Sequence, residues 1–166
     1  MSLYTIATHG ELEPGLSQEW LLTNGTGAYS SSTVVGCNRR RYHGLLCAAT
    51  LPPVGRIIAL SRIGETIKID KSEVTHELAV NQFANNFFPR GERYLRQFQI
   101  DEIAQWDYDV EGVKIVKQLQ LLPKRNIAGI RYTIDPAKHS QVEMQLLPFI
   151  ALRDFHSLRR GSDPSL

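Results

Sequence analysis

Along most of the chain apolar and polar residues alternate with a period of two, the spacing of a strand with one buried and one wet face. The clearest stretch is Gln141 to Pro148, where Val142, Met144 and Leu146 share one side and Gln141, Glu143 and Gln145 the other. Before it, Ile130, Tyr132 and Ile134 alternate with Arg131 and Thr133, and Asp135-Pro136 supplies a turn between two neighbouring antiparallel strands. Upstream, Val113, Ile115, Leu119 and Leu121 share one parity after a turn at Glu111-Gly112. Tyr94, Phe98 and Ile100 alternate with Leu95, Gln97 and Gln99, and Ile63, Ile67 and Ile69 with Gly64, Thr66, Lys68 and Asp70. His43 to Ala49 and Ile57 to Leu60 are more uniformly apolar, as strands covered on both faces are. No helical pattern longer than about two turns competes with this period. The expected fold class is all-β, an antiparallel β-sandwich.

Two stretches depart from the alternation and read as long loops. Leu22 to Gly36 holds Asn24-Gly25-Thr26-Gly27 and the run Ser30-Ser31-Ser32. Val80 to Arg93 holds Asn81, Asn85, Asn86, Pro89 and Gly91. Long ordered loops are places where binding work concentrates. With no repeat and no internal linker, the expectation is one β domain over residues 1–160, followed by a polar tail at 161–166.

Composition narrows the partners. The 166 residues are 42% hydrophobic, enough for one real core, and a formal charge of +2 gives no field for nucleic acid or an anionic membrane. No apolar run approaches the roughly 18 residues of a membrane span, and Met1 to Gly10 lacks the regions of a signal peptide. Cys37 and Cys47 read as free thiols in a cytoplasmic protein, and the set of ligands around them is too small for a metal.

Three segments carry candidate chemistry. Asn24-Gly25-Thr26-Gly27 lacks the lysine of a phosphate loop and reads as a tight turn with glycines at positive φ. Arg39-Arg40-Arg41-Tyr42-His43 sets planar donors beside two amphipathic rings, a combination that suits sugars; the alternative is that the arginines pair with Glu19, Glu65 or Asp154 and position a loop. Leu152-Arg153-Asp154-Phe155-His156 follows an apolar segment and would form a polar rim, with Asp154 and His156 on one side of an extended chain. No serine sits in a nucleophile elbow. Glycoside hydrolysis needs two carboxylates about 5–10 Å apart, and sequence cannot place Glu19, Asp101, Glu102, Asp107 or Asp154 at that separation. No catalytic residue is therefore assigned.

Several of these motifs, in this order, resemble one family. Glu19 to Gly27, Ser32 to Gly36, Asn38 to Leu46, Pro52 to Arg56, Glu65-Thr66 and Arg153 to Leu158 are together similar to the N-terminal domain of prokaryotic glycogen-debranching enzymes, the amylo-α-1,6-glucosidase family. Ala28 stands where that family more often has glycine. The resemblance covers about residues 19–160. It implies a glucoamylase-like N-terminal super-sandwich that precedes a helical (α/α)6 barrel holding the catalytic carboxylates. It also implies no cofactor, an α-glucan (a glycogen-like polysaccharide or maltooligosaccharide) as ligand, and the helical domain of the same enzyme as partner.

The expectation is then a chain without the barrel, inactive alone, and the resemblance leaves open whether part of the β domain also lies beyond it. The rim facing glucan or barrel would be Arg41, Tyr42, His43, Arg153, Asp154 and His156. The competing reading is a free-standing α-glucan-binding module. A sheet edge left open would invite a homodimer.

Overall fold

The computed structural model describes residues 4–8, 10–52, 54–84 and 86–158. Pro53, Asn85 and the tail at 161–166, all named above, lie outside the described residues, as does Arg160.

The chain is an antiparallel β-sandwich. One sheet has five strands in the order β1 (Tyr4–Ala7), β9 (Leu95–Ile100), β10 (Ala104–Val110), β11 (Val113–Leu121) and β12 (Ala128–Asp135). The other runs β13 (Val142–Asp154), β5 (Gly55–Ile69), β4 (Gly44–Leu51), β3 (Tyr29–Thr33) and β2 (Glu19–Thr23), with β6 (Thr75–Glu77) also on β5. A hairpin of β7 (Val80–Phe83) and β8 (Asn86–Arg90), a 3-10 turn at Gly91–Tyr94 and one short helix, α1 (Leu12–Ser17), complete it.

Alternation builds the core, on β11 as the sequence reading expects and on β10, which that reading does not identify as a strand. Ala104, Trp106, Tyr108 and Val110 of β10 and Val113, Ile115 and Leu119 of β11 point inward and are buried. Trp20 of β2 meets Trp106 edge-on at 5.3 Å and Phe98 at 6.2 Å, so an aromatic cluster ties the sheets together. Each indole N–H is satisfied, Trp20 by the Thr33 carbonyl and Trp106 by that of Val34.

Three elements differ from expectation. Ile57–Leu60 and Ile63–Ile69 belong to one continuous 15-residue strand, β5, and Asp70 begins the turn after it. The serine run is no loop: β3 is a central strand, with Ser30 donating to the Leu45 carbonyl, Ser31 to that of Trp20 and Ser32 to the Asn38 side chain. Small hydroxyl residues fit there because each buried O–H finds an acceptor. The stretch from Val80 folds back as the β7–β8 hairpin, and Gly91 is pressed against the Leu78 backbone, where a Cβ would lie 2.1 Å from the Leu78 carbonyl carbon.

The last two strands do not pair with each other as the turn at Asp135-Pro136 suggests: the chain crosses between the sheets there, and β12 ends the first sheet as β13 ends the second. Leu146, Leu147 and Ile150 of β13 are exposed. Among the described residues, one ion pair between a lysine and a glutamate has both partners buried. The Lys117 ammonium donates to Glu65 Oε1 at 2.5 Å, and the Tyr132 hydroxyl donates to the same oxygen at 2.7 Å. Lys117 also lies 5.4 Å from the Trp106 ring and 5.9 Å from that of Tyr132.

Candidate functional site

The tripeptide around Tyr42 lies in the connection that enters β4, and its neighbours part company. His43 is buried at 3% exposure, its Nδ1 accepting the Arg39 N–H at 3.2 Å. Its Nε2 therefore carries the proton of the neutral ring and faces Glu19 Oε1 at 3.5 Å. Burial is the main force on this ring and lowers its pKa, with Glu19 opposing. Arg40 donates to the same Glu19 oxygen at 2.6 Å. Two members of the basic run thus serve β2, and His43 does not reach the rim where the sequence reading puts it.

Arg41 and Tyr42 turn the other way and meet the end of β13, about the opposite end of the chain. The Arg153 guanidinium donates to the Arg41 carbonyl at 2.5 Å, to Ser157 at 2.6 Å and to Asp154 at 3.1 Å. Arg41 returns a bond to the His156 carbonyl at 3.0 Å, and the Tyr42 hydroxyl lies 3.3 Å from His156 Nδ1. This meeting depends on a bulge. The register of β13 on β5 slips between Ile150 and Arg153, and Leu152 takes φ 45°. A bulge re-aims the side chains after it, and holding a leucine in the left-handed region stores strain at that point.

Asp154 does not face the same side as His156 on extended chain. Its Oδ1 accepts the His156 N–H at 2.8 Å and closes a turn. That turn stacks Phe155 against its neighbours, 5.5 Å from Tyr42 and 4.0 Å from His156, with the Arg56 guanidinium 5.4 Å from its ring. Below, the Tyr29 hydroxyl donates to the Tyr42 carbonyl at 2.8 Å, and Arg56 Nε to the Gly27 carbonyl at 2.7 Å. Burial, with the Cys47 thiol as hydrogen-bond partner, raises the Tyr29 pKa beyond its usual range, and burial likewise raises that of Cys47. Neither is primed to ionise.

Five of the six sequence-named residues therefore form one cluster: Arg41, Tyr42, Arg153, Asp154 and His156. Sequence reasoning passed over Tyr29, Arg56 and Phe155 as members. Arg56 and Phe155 did carry a signal, since both sit inside segments quoted for the family resemblance. Among the described residues no carboxylate lies within ion-pair distance of Arg41, Arg56 or Arg153. All three guanidinium groups donate to backbone carbonyls, which fixes their position without neutralising them. Chemically this is an aromatic surface with three guanidinium groups, one carboxylate and a part-exposed tyrosine.

The other named groups are elsewhere. Glu65 is interior, paired with Lys117, and Asp107 accepts the Gln105 amide at 2.9 Å. The glycine turn behaves as its composition predicts, with Gly25 at φ 80° and Gly27 at φ 101°. It is held by Asn24, whose Oδ1 accepts the Thr26 and Ala28 N–H groups and whose amide donates to the Arg125 carbonyl. Among the described residues no helix is long and apolar enough to cross a membrane.

A family model described as "Glycogen debranching enzyme N terminal" matches residues 18–165. No curated protein and no solved structure matches the chain.

Proposed function

Because the chain belongs to the glycogen debranching enzyme N-terminal family, we propose that it is the non-catalytic β domain of an amylo-α-1,6-glucosidase. It packs against a helical catalytic domain and contributes to α-glucan binding. The observation that carries this reading is the cluster at the end of β13. Its arginines are held by carbonyls, with no carboxylate partner among the described residues, and Tyr42 is 39% exposed beside them. Arginine and tyrosine in a fixed, exposed cluster are the residue types that dominate protein contacts. A flat ring beside guanidinium donors equally suits the C–H face and hydroxyls of a sugar.

Two measurements test it. Adding the chain to branched dextrin releases no glucose; release that disappears on Asp154→Asn overturns the non-catalytic reading. Titration with maltoheptaose shifts the His156 ring signals, and Tyr42→Ala removes that shift. If these signals stay fixed at about 20 mM sugar, well above an affinity on the order of 1 mM, the cluster serves domain docking alone.

The same proposal extends to assembly and setting. The open edges β12 and β13, with Leu146, Leu147 and Ile150 exposed, support a homodimer in the isolated chain. Light scattering that reports a clean monomer overturns it. The free, buried thiols of Cys37 and Cys47 support a cytoplasmic setting.

A further inference from the structure

The five-stranded sheet has a second face, and the rim makes no use of it. Of the nine glutamines in the chain, five point outward from this sheet: Gln97 and Gln99 on β9, Gln105 on β10, and Gln118 and Gln120 on β11. Glutamine is an ordinary rather than a favoured strand residue, so propensity does not explain the gathering. The register aligns Thr5, Gln99, Gln105, Gln118 and Arg131 in one row across all five strands.

Three of its five members, Arg131, Gln118 and Gln105, are linked by hydrogen bonds. Arg131 donates to Gln118 Oε1 from Nε at 3.0 Å and from its terminal nitrogen at 2.5 Å. Gln118 donates to Gln105 Oε1 at 2.6 Å, and Gln105 to Asp107 Oδ1 at 2.9 Å. Each amide is thereby fixed by its neighbour. Gln118 and Gln105 each keep one N–H, and the Gln105 oxygen keeps a lone pair. The face thus offers donors and acceptors side by side, already in position.

Two depressions flank this row. One, of about 310 Å3, is lined by Ile103, Gln118, Gln120, Gly129, Ile130 and Arg131. The other, of about 340 Å3, is lined by Gln99, Asp101, Glu102, Ile103, Gln105 and Gln118. They share Ile103 and Gln118, so they form one trough crossing the strands. Gly129 leaves its floor open, since a Cβ there would meet nothing closer than the Gln120 carbonyl at 4.0 Å. From β9 to β12 the trough spans three strand spacings, about 14 Å.

We propose that this trough binds a neutral oligosaccharide lying across the strands. Fixed amides that donate and accept at once match hydroxyl groups, which do the same. Ile103, 36% exposed, gives the apolar contact for a sugar ring. A nucleic acid fits poorly, because Asp101, Glu102 and Asp107 stand against a single arginine at 131. A protein partner fits poorly too, because the trough lacks an apolar centre larger than Ile103. The choice of α-linked glucose as the sugar rests on the family reading above; the trough itself requires only a neutral chain of hydroxyls.

The test is a maltoheptaose titration of the 166-residue chain, followed by the side-chain NH2 signals of Gln105 and Gln118. Both are expected to shift, with a Kd on the order of 1 mM because no aromatic ring takes part. Gln118→Ala weakens binding about fivefold, the worth of one hydrogen bond. Gly129→Gln, which fills the floor and keeps every amide, abolishes it; unchanged melting temperatures show that both variants fold. Tyr42→Ala leaves the glutamine signals responsive. Fixed glutamine signals at about 20 mM sugar overturn the trough. If the His156 signals move at the same time, the rim reading survives that failure.

Discussion

Two polar constellations in this molecule look alike as residue lists and differ in what holds them. Inside, Lys117 and Tyr132 both donate to a single carboxylate oxygen of Glu65 between the sheets. At the rim, Arg41, Arg56 and Arg153 donate to backbone carbonyls, and among the described residues none of them pairs with a carboxylate, Asp154 being engaged by the His156 N–H. Charges taken out of water must be paired, and once paired they depend on each other. Charges at a surface need no partner to be tolerated, so carbonyl contacts can serve to aim them. The interior set thus belongs to stability, while the rim set can be lost without unfolding the domain.

The sharpest way to break this contrast is to remove one interior partner. Lys117→Ala leaves the Glu65 carboxylate, in a residue 4% exposed, without its cation. The expected loss is about 3–5 kcal/mol, the cost of orphaning a buried charge. Urea unfolding measures it. The double variant Lys117→Met, Glu65→Leu should recover most of that loss, because no charge is left behind. A single variant that costs less than about 1 kcal/mol, typical of exposed pairs, would make the interior set no different from a surface one.

Next in size is Asn24, a buried neutral group between the two cases. Its side chain makes three hydrogen bonds to backbone and so fixes the Gly25–Gly27 turn, whose Gly27 carbonyl in turn receives Arg56 of the rim. Asn24→Ala should cost about 2 kcal/mol and should also disturb the rim, since freed backbone groups are only partly rehydrated. Loss of stability with unchanged Phe155 and His156 signals would show that the rim is independent of the turn beneath it.

These cases also show what sequence could and could not reveal. Strands with one wet face announce themselves by alternation, so β9, β11, β12 and β13 form where the pattern puts them. Which strands pair is not written in alternation, and β12 and β13, expected as neighbours, belong to different sheets. β10 alternates as regularly, but Asp107 and Asp109 are poor strand formers and mask it. β3 carries no apolar alternation at all; its burial rests on serine hydroxyls finding carbonyls on β2 and β4, a property of the assembled sheet. At the site, both halves of the rim were legible as segments. Their meeting was not, because Arg153 reaches Arg41 across 112 residues only through the β13–β5–β4 register and its bulge. For the same reason nothing in Tyr42-His43 reveals which ring goes to the core.

A third test uses pH on a surface cluster in which a carboxylate does pair with a titratable cation. Asp70, at the end of β5, lies 2.7 Å from His139 Nδ1, while His139 Nε2 donates to the Glu111 carbonyl at 3.1 Å. Acceptors at both nitrogens favour the imidazolium, so Asp70 raises the His139 pKa above 6.5. The same contact, with N–H donors from Ser140 and Gln141, lowers Asp70 from 3.8 to about 2. The histidine's contribution is complete below pH 6.5 and fades as pH rises through its raised value. The aspartate's is complete above pH 3.8 and fades toward pH 2. The melting-temperature gap between the parent chain and His139→Ala should therefore be widest from about pH 4 to 6.5 and close on both sides. A gap that is constant from pH 4 to 8 would show that this contact carries no charge.

The smallest expected effect bears most directly on the contrast. Arg41 is exposed, makes one side-chain bond to the His156 carbonyl and packs no core residue. Its guanidinium lies 5.9 Å from the Tyr42 ring, a contact open to water. Arg41→Ala should therefore cost only about 0.5–1 kcal/mol, the net worth of one exposed hydrogen bond. It should nevertheless loosen the end of the chain, because Arg41 and Arg153 hold the 155–157 turn from opposite sides. Amide exchange that speeds at His156 and Ser157 while β10 and β11 stay protected would show a rim whose geometry is fixed and whose energy is dispensable. If exchange rises in β10 and β11 as well, the rim is coupled to the core and the two constellations are one structural unit.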